Sequence, residues 1–365
     1  MGRTNALRIL LIGDYPPPMG GIAVHVQQLY RAFDREGLTC RVLDISKAEG
    51  FGRDIIGGRG YRSFSRELLR HASAGWLLHL HTSGNNPKAW TVAMAVAVAG
   101  QMFRTPTLIT AHSGLIPQRF PRRPELRRRA KLALLGYSHV VTVSEAVRET
   151  LLGLGLSRDR CSVFPAFCPG EVIPGAPPEQ LAPVRQRRRP LLSVAHHPSP
   201  VYGRRLVFEA LSVLAPRHPG IGLALFGPGT GSPEYRADAE RFGVTALLED
   251  FGELEHERAL ALIKASDVFV RPTTADGDSV SVREALTLGV PCVATDVAVR
   301  PAGTHVCRGA DAADLATNIE EALQTTPVPM PQPDTVVFLR RLYEQLRPMA
   351  RRDDAVEPRA SGLLH

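Results

Sequence analysis

Residues 275–296 read ADGDSVSVREALTLGVPCVATD: a loop of small residues, a stretch with helical periodicity, and an apolar run between proline and aspartate that reads as a buried strand. Loop, helix and short buried strand in that order form one repeat of a wound α/β sheet. The loop from Gly277 to Ser281 offers close-approaching backbone N–H groups, and the helix start behind it adds a positive dipole end, so the segment suits a diphosphate. Two carboxylates, Asp276 and Glu284, stand eight residues apart on it. Taken alone they have a plainer reading, as an N-cap and an exposed helix residue.

Outward from this segment the alternation recurs. RILLIG (8–13), CRVLDIS (40–46), GWLLHLH (75–81), TPTLITAH (105–112) and HVVTVS (139–144) read as short buried strands in the first half, and RPLLSVAH (189–196), IGLALFG (221–227), ALLEDFG (246–252), DVFVRP (267–272) and PCVATD (291–296) in the second. Helical patterns such as 21–37, with Val24, Leu29, Ala32 and Phe33 on one face, lie between them. This predicts an α/β protein of two doubly wound parallel sheets with helices on both faces. The proline-rich, then basic stretch 168–190 has no apolar period and marks an interdomain linker over 171–189, between domains at 1–170 and 190–330. Residues 331–365 are expected to add one helix and a flexible charged tail.

At 365 residues two cores are the default, and 44% hydrophobic with 22% charged residues is a globular balance. The net charge of +8 points to an anionic partner without choosing one. Five cysteines show neither a C-x-x-C pair nor metal-site spacing, which predicts reduced thiols and a cytoplasmic setting. The apolar run Ile9–Ile12 is too short for a secretory leader, and Ala89–Gly100 falls short of the roughly twenty residues of a spanning helix.

In open parallel sheets ligands sit beyond the carboxyl ends of the strands. Gly20 and Gly21 follow the first strand and precede a helix, which fits a phosphate or a plain tight turn. His112 ends a strand, where it orients a sugar or is a satisfied core histidine, and His79 and His81 share one face with the same two readings. FGPGTGSPE (226–234) and FGEL (251–254) let backbone approach a base or phosphate, but neither G-x-G-x-x-G nor G-x-x-x-x-G-K-[ST] occurs, so an ordinary dehydrogenase and a P-loop hydrolase are disfavoured.

RILLIG with Gly20-Gly21, TAHSG, HVVTVSEAVRETL, LLSVAHHPSPVYGRRLVFEAL, LALFGPG, FGELEHERALALIKASDVFVRPT and the acid pair, in this order over about residues 7 to 325, resemble the family-4 glycosyltransferases of the GT-B fold. The resemblance implies two Rossmann-like domains facing across a cleft, the first holding the acceptor and the second a UDP- or GDP-linked sugar, with retention of anomeric configuration. It also implies that Asp276 holds donor-sugar hydroxyls, where the family usually has Glu, and that Glu284 holds the ribose. Gly277, Asp278, Ser279 and Val280 would meet sugar and diphosphate, Gly21 beside Gly20 the phosphate, and His112 the transferring sugar. Gly227, Gly252, Glu253 and Leu254 would complete the donor site. No metal or other cofactor is implied, the DGD at 276–278 being the one place for a divalent ion.

One departure stands out. Where the family has a diphosphate-binding Arg and Lys, this chain has His196 and Tyr202, leaving Arg204, Arg205 and Arg271 as candidate cations. If none serves, a silent nucleotide-sugar-binding subunit becomes the rival reading, beside an epimerase or hydrolase of the same fold. The basic run Arg119–Lys131, interleaved with Leu126 and Leu132, suits anionic lipid headgroups and a lipid-linked acceptor at the inner face of a membrane, or is simply a solvated helix. No aromatic-basic platform suggests a nucleic acid.

Overall fold

The structure is a computed structural model and describes residues 7–17, 20–46, 52–309, 311–326 and 328–346. The first half runs β1 (Arg8–Gly13), α1 (Gly21–Arg35), β2 (Thr39–Asp44), β3 (Ile55–Gly57), α2 (Tyr61–Ser73), β4 (Leu77–Thr82), α3 (Pro87–Phe103), β5 (Thr107–Ala111), α4 (Ile116–Arg122), α5 (Pro124–Leu134), β6 (His139–Thr142), α6 (Glu145–Leu152) and β7 (Cys161–Val163). Its seven strands are ordered β3-β2-β1-β4-β5-β6-β7, all parallel.

The second half runs α7 (Leu181–Arg187), β8 (Leu191–Ala195), α8 (Arg204–Leu214), β9 (Gly222–Phe226), α9 (Pro233–Arg241), β10 (Leu248–Gly252), α10 (His256–Ala265), β11 (Val268–Arg271), α11 (Val280–Thr287), β12 (Cys292–Thr295), β13 (Thr304–Cys307), α12 (Ala312–Leu323) and α13 (Thr335–Leu346). Its sheet is ordered β10-β9-β8-β11-β12-β13, again parallel. In each sheet the order reverses at the first strand, so the crevices open after β1 and β4 and after β8 and β11.

The strands are apolar throughout because both faces are covered. On β1, Leu10 and Ile12 join the core under α2 and α3, whereas Ile9 and Leu11 join the one under α1. The last helix does not extend the second domain. Val336, Leu339, Leu342 and Tyr343 of α13 pack with Ile9, Leu11 and Phe33 of the first. The proline-rich stretch also differs from its composition, since it holds α7, whose Leu181 and Val184 are buried with Leu191, Phe251 and Leu262. Two strands the sequence did not reveal, β3 and β7, have three residues each, too few to show a period, and β13, reading THVC, is largely unburied and has no apolar run. The charged tail beyond residue 346 lies outside the described residues. Among those, no helix is long and apolar enough to cross a membrane.

Candidate functional site

The two domains meet at their strand-end loops. A methyl group placed on Gly114 would lie 1.9 Å from the Asp276 carbonyl oxygen, and one on Gly277 would lie 2.8 Å from the Gly114 nitrogen and 2.9 Å from the His112 carbonyl. The loop after β5 and the loop after β11 therefore touch backbone to backbone, a distance only glycine permits. A second bridge, Arg31 Nη1 to Glu257 Oε1 at 2.9 Å, ties α1 to the start of α10.

Both members of the acid pair lie at this junction. Asp276 accepts hydrogen bonds from Arg271 Nε (3.2 Å), Arg300 Nη1 (3.0 Å), Thr273 Oγ1 (3.3 Å) and the Gly277 N–H (3.2 Å). Burial alone would push its carboxyl pKa up, but the two guanidiniums outweigh that and hold it below the usual range. Glu284 is 5% exposed and bonded to His256 Nε2 at 2.7 Å, next to the Arg31–Glu257 bridge. Burial opposes charge on His256, yet the bond and the charge of Glu284 raise its pKa overall. Neither plain reading of the pair holds: the N-cap of α11 is Ser279, and Glu284 is not exposed.

Asp278 bonds Arg283 Nε through both oxygens, at 2.9 and 3.0 Å, while Ser279 is buried and Val280 opens α11. The DGD carboxylates are thus each neutralised by arginine. Among the described residues no group of three or more His, Cys, Asp or Glu is arranged to hold a metal ion.

The other wall is made of imidazoles. His112 Nε2 lies 3.1 Å from His81 Nδ1; the His81 and His79 rings lie tilted by 38° with centroids 4.1 Å apart; and His25 of α1 packs edge-on to His81 at 5.6 Å and to His112 at 5.4 Å. His79 is anchored by the Tyr343 hydroxyl (2.6 Å) and Thr110 (2.8 Å), so α13 reaches back to brace this column. Removal from water pushes the His112 pKa down to about 4 and those of His25, His79 and His81 well down too. At neutral pH His112 is therefore a neutral hydrogen-bonding group. The α1 pattern marked Val24 and Leu29 as core but left His25 unremarked, because a buried histidine does not alter a hydrophobic period.

The sequence-predicted cations are partly committed elsewhere. Arg204 and Arg205 both pair with Asp238, Arg204 through Nε at 2.9 Å and Arg205 through Nε at 2.9 Å, so a phosphate would have to compete with that carboxylate. Arg271 lies over the Tyr202 ring, 5.1 Å from its centroid, between that ring and Asp276. His196 is 5% exposed, donates from Nδ1 to the Pro228 carbonyl (2.8 Å) and has no partner at Nε2 among the described residues. Gly227 follows it across the crevice with φ +124°, where a methyl group would lie 2.2 Å from the His196 carbonyl. Its N–H donates to Gly252 (2.7 Å), linking the loops after β9 and β10, with Glu253 exposed and Leu254 packed beside Phe251.

Sequence reasoning missed Arg300 and His256. Arg300 has a 2% exposed side chain and binds Asp276, Thr273 and the Thr295 carbonyl. Its position after a strand is the one signal that would have flagged it. Gly20 and Gly21 have open space before them and line a cleft in the first domain with Asp14 and Lys88.

Residues 19–168 match the family model described as Glycosyltransferase Family 4, and residues 188–325 the model described as Glycosyl transferases group 1. The chain belongs to the family-4 glycosyltransferases. Solved structures similar to this family-4 glycosyltransferase include Anabaena HepE in complex with UDP, 15% identical with a TM-score of 0.63, covering 93% of this chain and 99% of that one. The E. coli trehalose-6-phosphate structure bound with UDP-2-fluoro glucose is 13% identical with a TM-score of 0.62, covering 92% and 94%. A Listeria monocytogenes protein described as a candidate UDP-N-acetylglucosamine 2-epimerase is 14% identical with a TM-score of 0.58, covering 87% and 88%. At such identities the likeness establishes the fold, GT-B. A search of curated protein sequences found no match.

Proposed function

We propose that this family-4 glycosyltransferase moves a hexose, with retention, from a UDP- or GDP-linked donor to a lipid-linked saccharide in cell-surface polysaccharide or glycolipid synthesis, with no metal required. The observation that carries the reading is the backbone contact of Gly114 with the Asp276–Gly277 turn, which brings a neutral His112 and the acidic loop to one junction. Reaction breaks the bond from the anomeric carbon to the diphosphate, whose oxygen keeps the electron pair; the acceptor hydroxyl adds on the same face and passes its proton to that oxygen. The N–H groups of residues 277–280, the start of α11 and Arg271 stabilise the charge that develops there. Asp276 orients sugar hydroxyls with the oxygen edge its arginines leave open, and Glu284 receives the ribose. UDP and UDP-2-fluoro glucose in the similar structures support a uridine donor first.

Thermal shift with UDP, GDP and their sugars, with and without magnesium, tests donor choice, since a ligand of the folded state raises Tm. Radiolabel transfer to a lipid extract, with the product anomer read by NMR, tests the rest. Two observations favour second readings: the engagement of Arg204 and Arg205 by Asp238 suits a silent nucleotide-sugar-binding subunit, seen as tight UDP binding without turnover. The fold shared with an epimerase suits a donor-only reaction, seen as conversion without acceptor.

The membrane side of the proposal rests on α3 and α5. Val98, Met102, Phe103, Leu132 and Leu135 are exposed at 51, 64, 38, 62 and 54%, beside Arg127, Arg128 and Arg129 on the exposed face of α5. Arg119 is instead folded back onto the Asn85 carbonyl (2.9 Å), and Leu126 is fully buried. An apolar patch rimmed by arginine fits peripheral docking on an anionic inner leaflet. Sedimentation with phosphatidylglycerol vesicles, lost on Met102→Glu with Leu132→Glu and absent for the wild type with neutral vesicles, is the expected result.

A further inference from the structure

The carboxylate of Asp276 is held asymmetrically. Its Oδ2 receives three donors, Arg300 Nη1 (3.0 Å), Arg271 Nε (3.2 Å) and Thr273 Oγ1 (3.3 Å), whereas Oδ1 receives only the N–H of its own neighbour, Gly277 (3.2 Å). A carboxylate oxygen offers two lone pairs, so Oδ2 is filled and the remaining capacity is on Oδ1. The two arginines divide in a similar way. Among the described residues Arg271 hydrogen-bonds through Nε alone. Arg300 gives Nε to the Thr295 carbonyl (2.8 Å), Nη1 to Asp276, and Nη2 to the hydroxyls of Thr273 (3.3 Å) and Thr295 (3.4 Å). Its side chain is 2% exposed, and both threonines are buried. The Thr295 hydroxyl donates in turn to the Thr273 carbonyl at 2.5 Å, so the network closes on itself between the ends of β11 and β12. Arg300 thus has no face left for a substrate. All that it does for one passes through Asp276, whose charge it helps to keep against the pull of burial.

We propose that Arg300 is a positioning residue for the donor sugar: it fixes Asp276 by Oδ2, so that Oδ1 is presented as the single acceptor for a sugar hydroxyl. The assignment rests on the transferase reading and specifies how that reading distinguishes a nucleotide sugar from the bare nucleotide. A planar guanidinium is suited to the task because one group spans the carboxylate, two hydroxyls and a carbonyl at fixed angles, which a lysine ammonium on its flexible stem does not reproduce. Without Arg300 the carboxylate keeps Arg271 but is free to turn, and either oxygen can meet that one cation.

The test is calorimetric titration of UDP, UDP-glucose and UDP-galactose into the full chain, in the wild type, Arg300→Gln and Arg300→Lys. The quantity compared is the Kd of the tighter-binding sugar nucleotide divided by the Kd of UDP. In Arg300→Gln this ratio is expected to rise about tenfold, the worth of one charge-assisted hydrogen bond, while the Kd of UDP stays within about twofold of the wild type. Arg300→Lys keeps the counter-charge, so it carries the test if the glutamine variant does not fold; its ratio is expected to rise about threefold with UDP affinity unchanged. In an Asp276→Asn background, Arg300→Gln should add nothing to the ratio, because residues acting as one unit are not additive. Equal weakening of UDP and its sugars would make Arg300 a structural support only and overturn the proposal, as would an unchanged ratio in both variants or a full additive loss in the Asp276→Asn background. Failure of the underlying transferase reading registers separately, as absence of UDP binding to the wild type.

Discussion

The two walls of the interdomain cleft are built by opposite electrostatic means. The wall of the first domain is a column of four imidazoles whose pKa values are all lowered by burial, so it carries no charge at neutral pH. The wall of the second is a set of carboxylates each locked to a cation: Asp276 to Arg271 and Arg300, Asp278 to Arg283, Glu284 to His256. A reaction that separates charge at one end and moves a neutral hydroxyl at the other wants that division. Fixed ion pairs hold their geometry as a diphosphate leaves, and neutral rings accept a hydroxyl without competing for its negative partner.

The largest expected break in this comparison is at Asp276. Asp276→Ala leaves Arg271 and Arg300 buried without their counter-charge, and removing one partner of such a cluster costs about 3–5 kcal/mol. Because the proposed mechanism also sets this side chain against the donor sugar, transfer is expected to fall by about 10²–10³-fold. Asp276→Asn keeps the shape and one acceptor oxygen but not the counter-charge, so it recovers part of the stability lost in Asp276→Ala and none of the transfer. Urea melts beside initial rates separate the two effects, and full activity in Asp276→Asn would remove the carboxylate from the proposed mechanism.

Next in size is the contact that joins the walls. Gly114→Ala inserts a methyl group where the Asp276 carbonyl now sits, and the domains must part to admit it. Misplacement on the scale of an ångström lowers reaction rates by about 100-fold. Each domain's core is untouched, so far-UV circular dichroism and UDP affinity should match the wild type while kcat drops. A kcat within threefold of the wild type would mean that the two loops do not need to touch for transfer.

The fold was legible in the sequence because parallel strands covered on both faces must be apolar throughout, and runs such as RILLIG and DVFVRP have no other economical reading. Candidate loops were legible too, since position after a strand is enough to nominate Gly21, His112, Gly227 and Asp276. What a loop residue touches was not. Arg204 and Arg205 look like free phosphate ligands until Asp238, more than thirty residues away, occupies them. Arg300 and His256 show the converse: each completes a carboxylate whose own position was clear, but long-range pairing leaves no local period to read. The return of α13 onto the first domain, and with it the bond of Tyr343 to His79, is likewise fixed by tertiary packing alone.

The histidine column sharpens the comparison through acid. Its folded pKa values lie below the unfolded value near 6.5, so below that pH the unfolded chain takes up protons that the native state refuses. Stability is expected to fall as pH drops beneath about 6.5, by about 1.4 kcal/mol per pH unit for each histidine, until the folded pKa is reached, about 4 for His112. His25, with neither ring nitrogen partnered among the described residues, is the cleanest probe. His25→Leu removes one such proton, and urea melts at pH 7.0 and 5.5 should show a pH dependence smaller by about 1.4 kcal/mol. An unchanged slope would mean that His25 is charged or hydrated in the native state.

The smallest effect belongs to the charged wall and has the opposite sign. The pKa of His256 is raised on folding, so its bond to Glu284 stabilises fully below about pH 6.5 and is lost as pH climbs through the higher folded value. His256→Gln should therefore lower Tm most at pH 6 and progressively less toward pH 9, by an amount equivalent to about 1–2 kcal/mol at the acid end. The loss is bounded because glutamine still donates one hydrogen bond to Glu284, leaving only the charge at stake. A difference that grows with pH would place the proton elsewhere and make Glu284, rather than His256, the group that titrates.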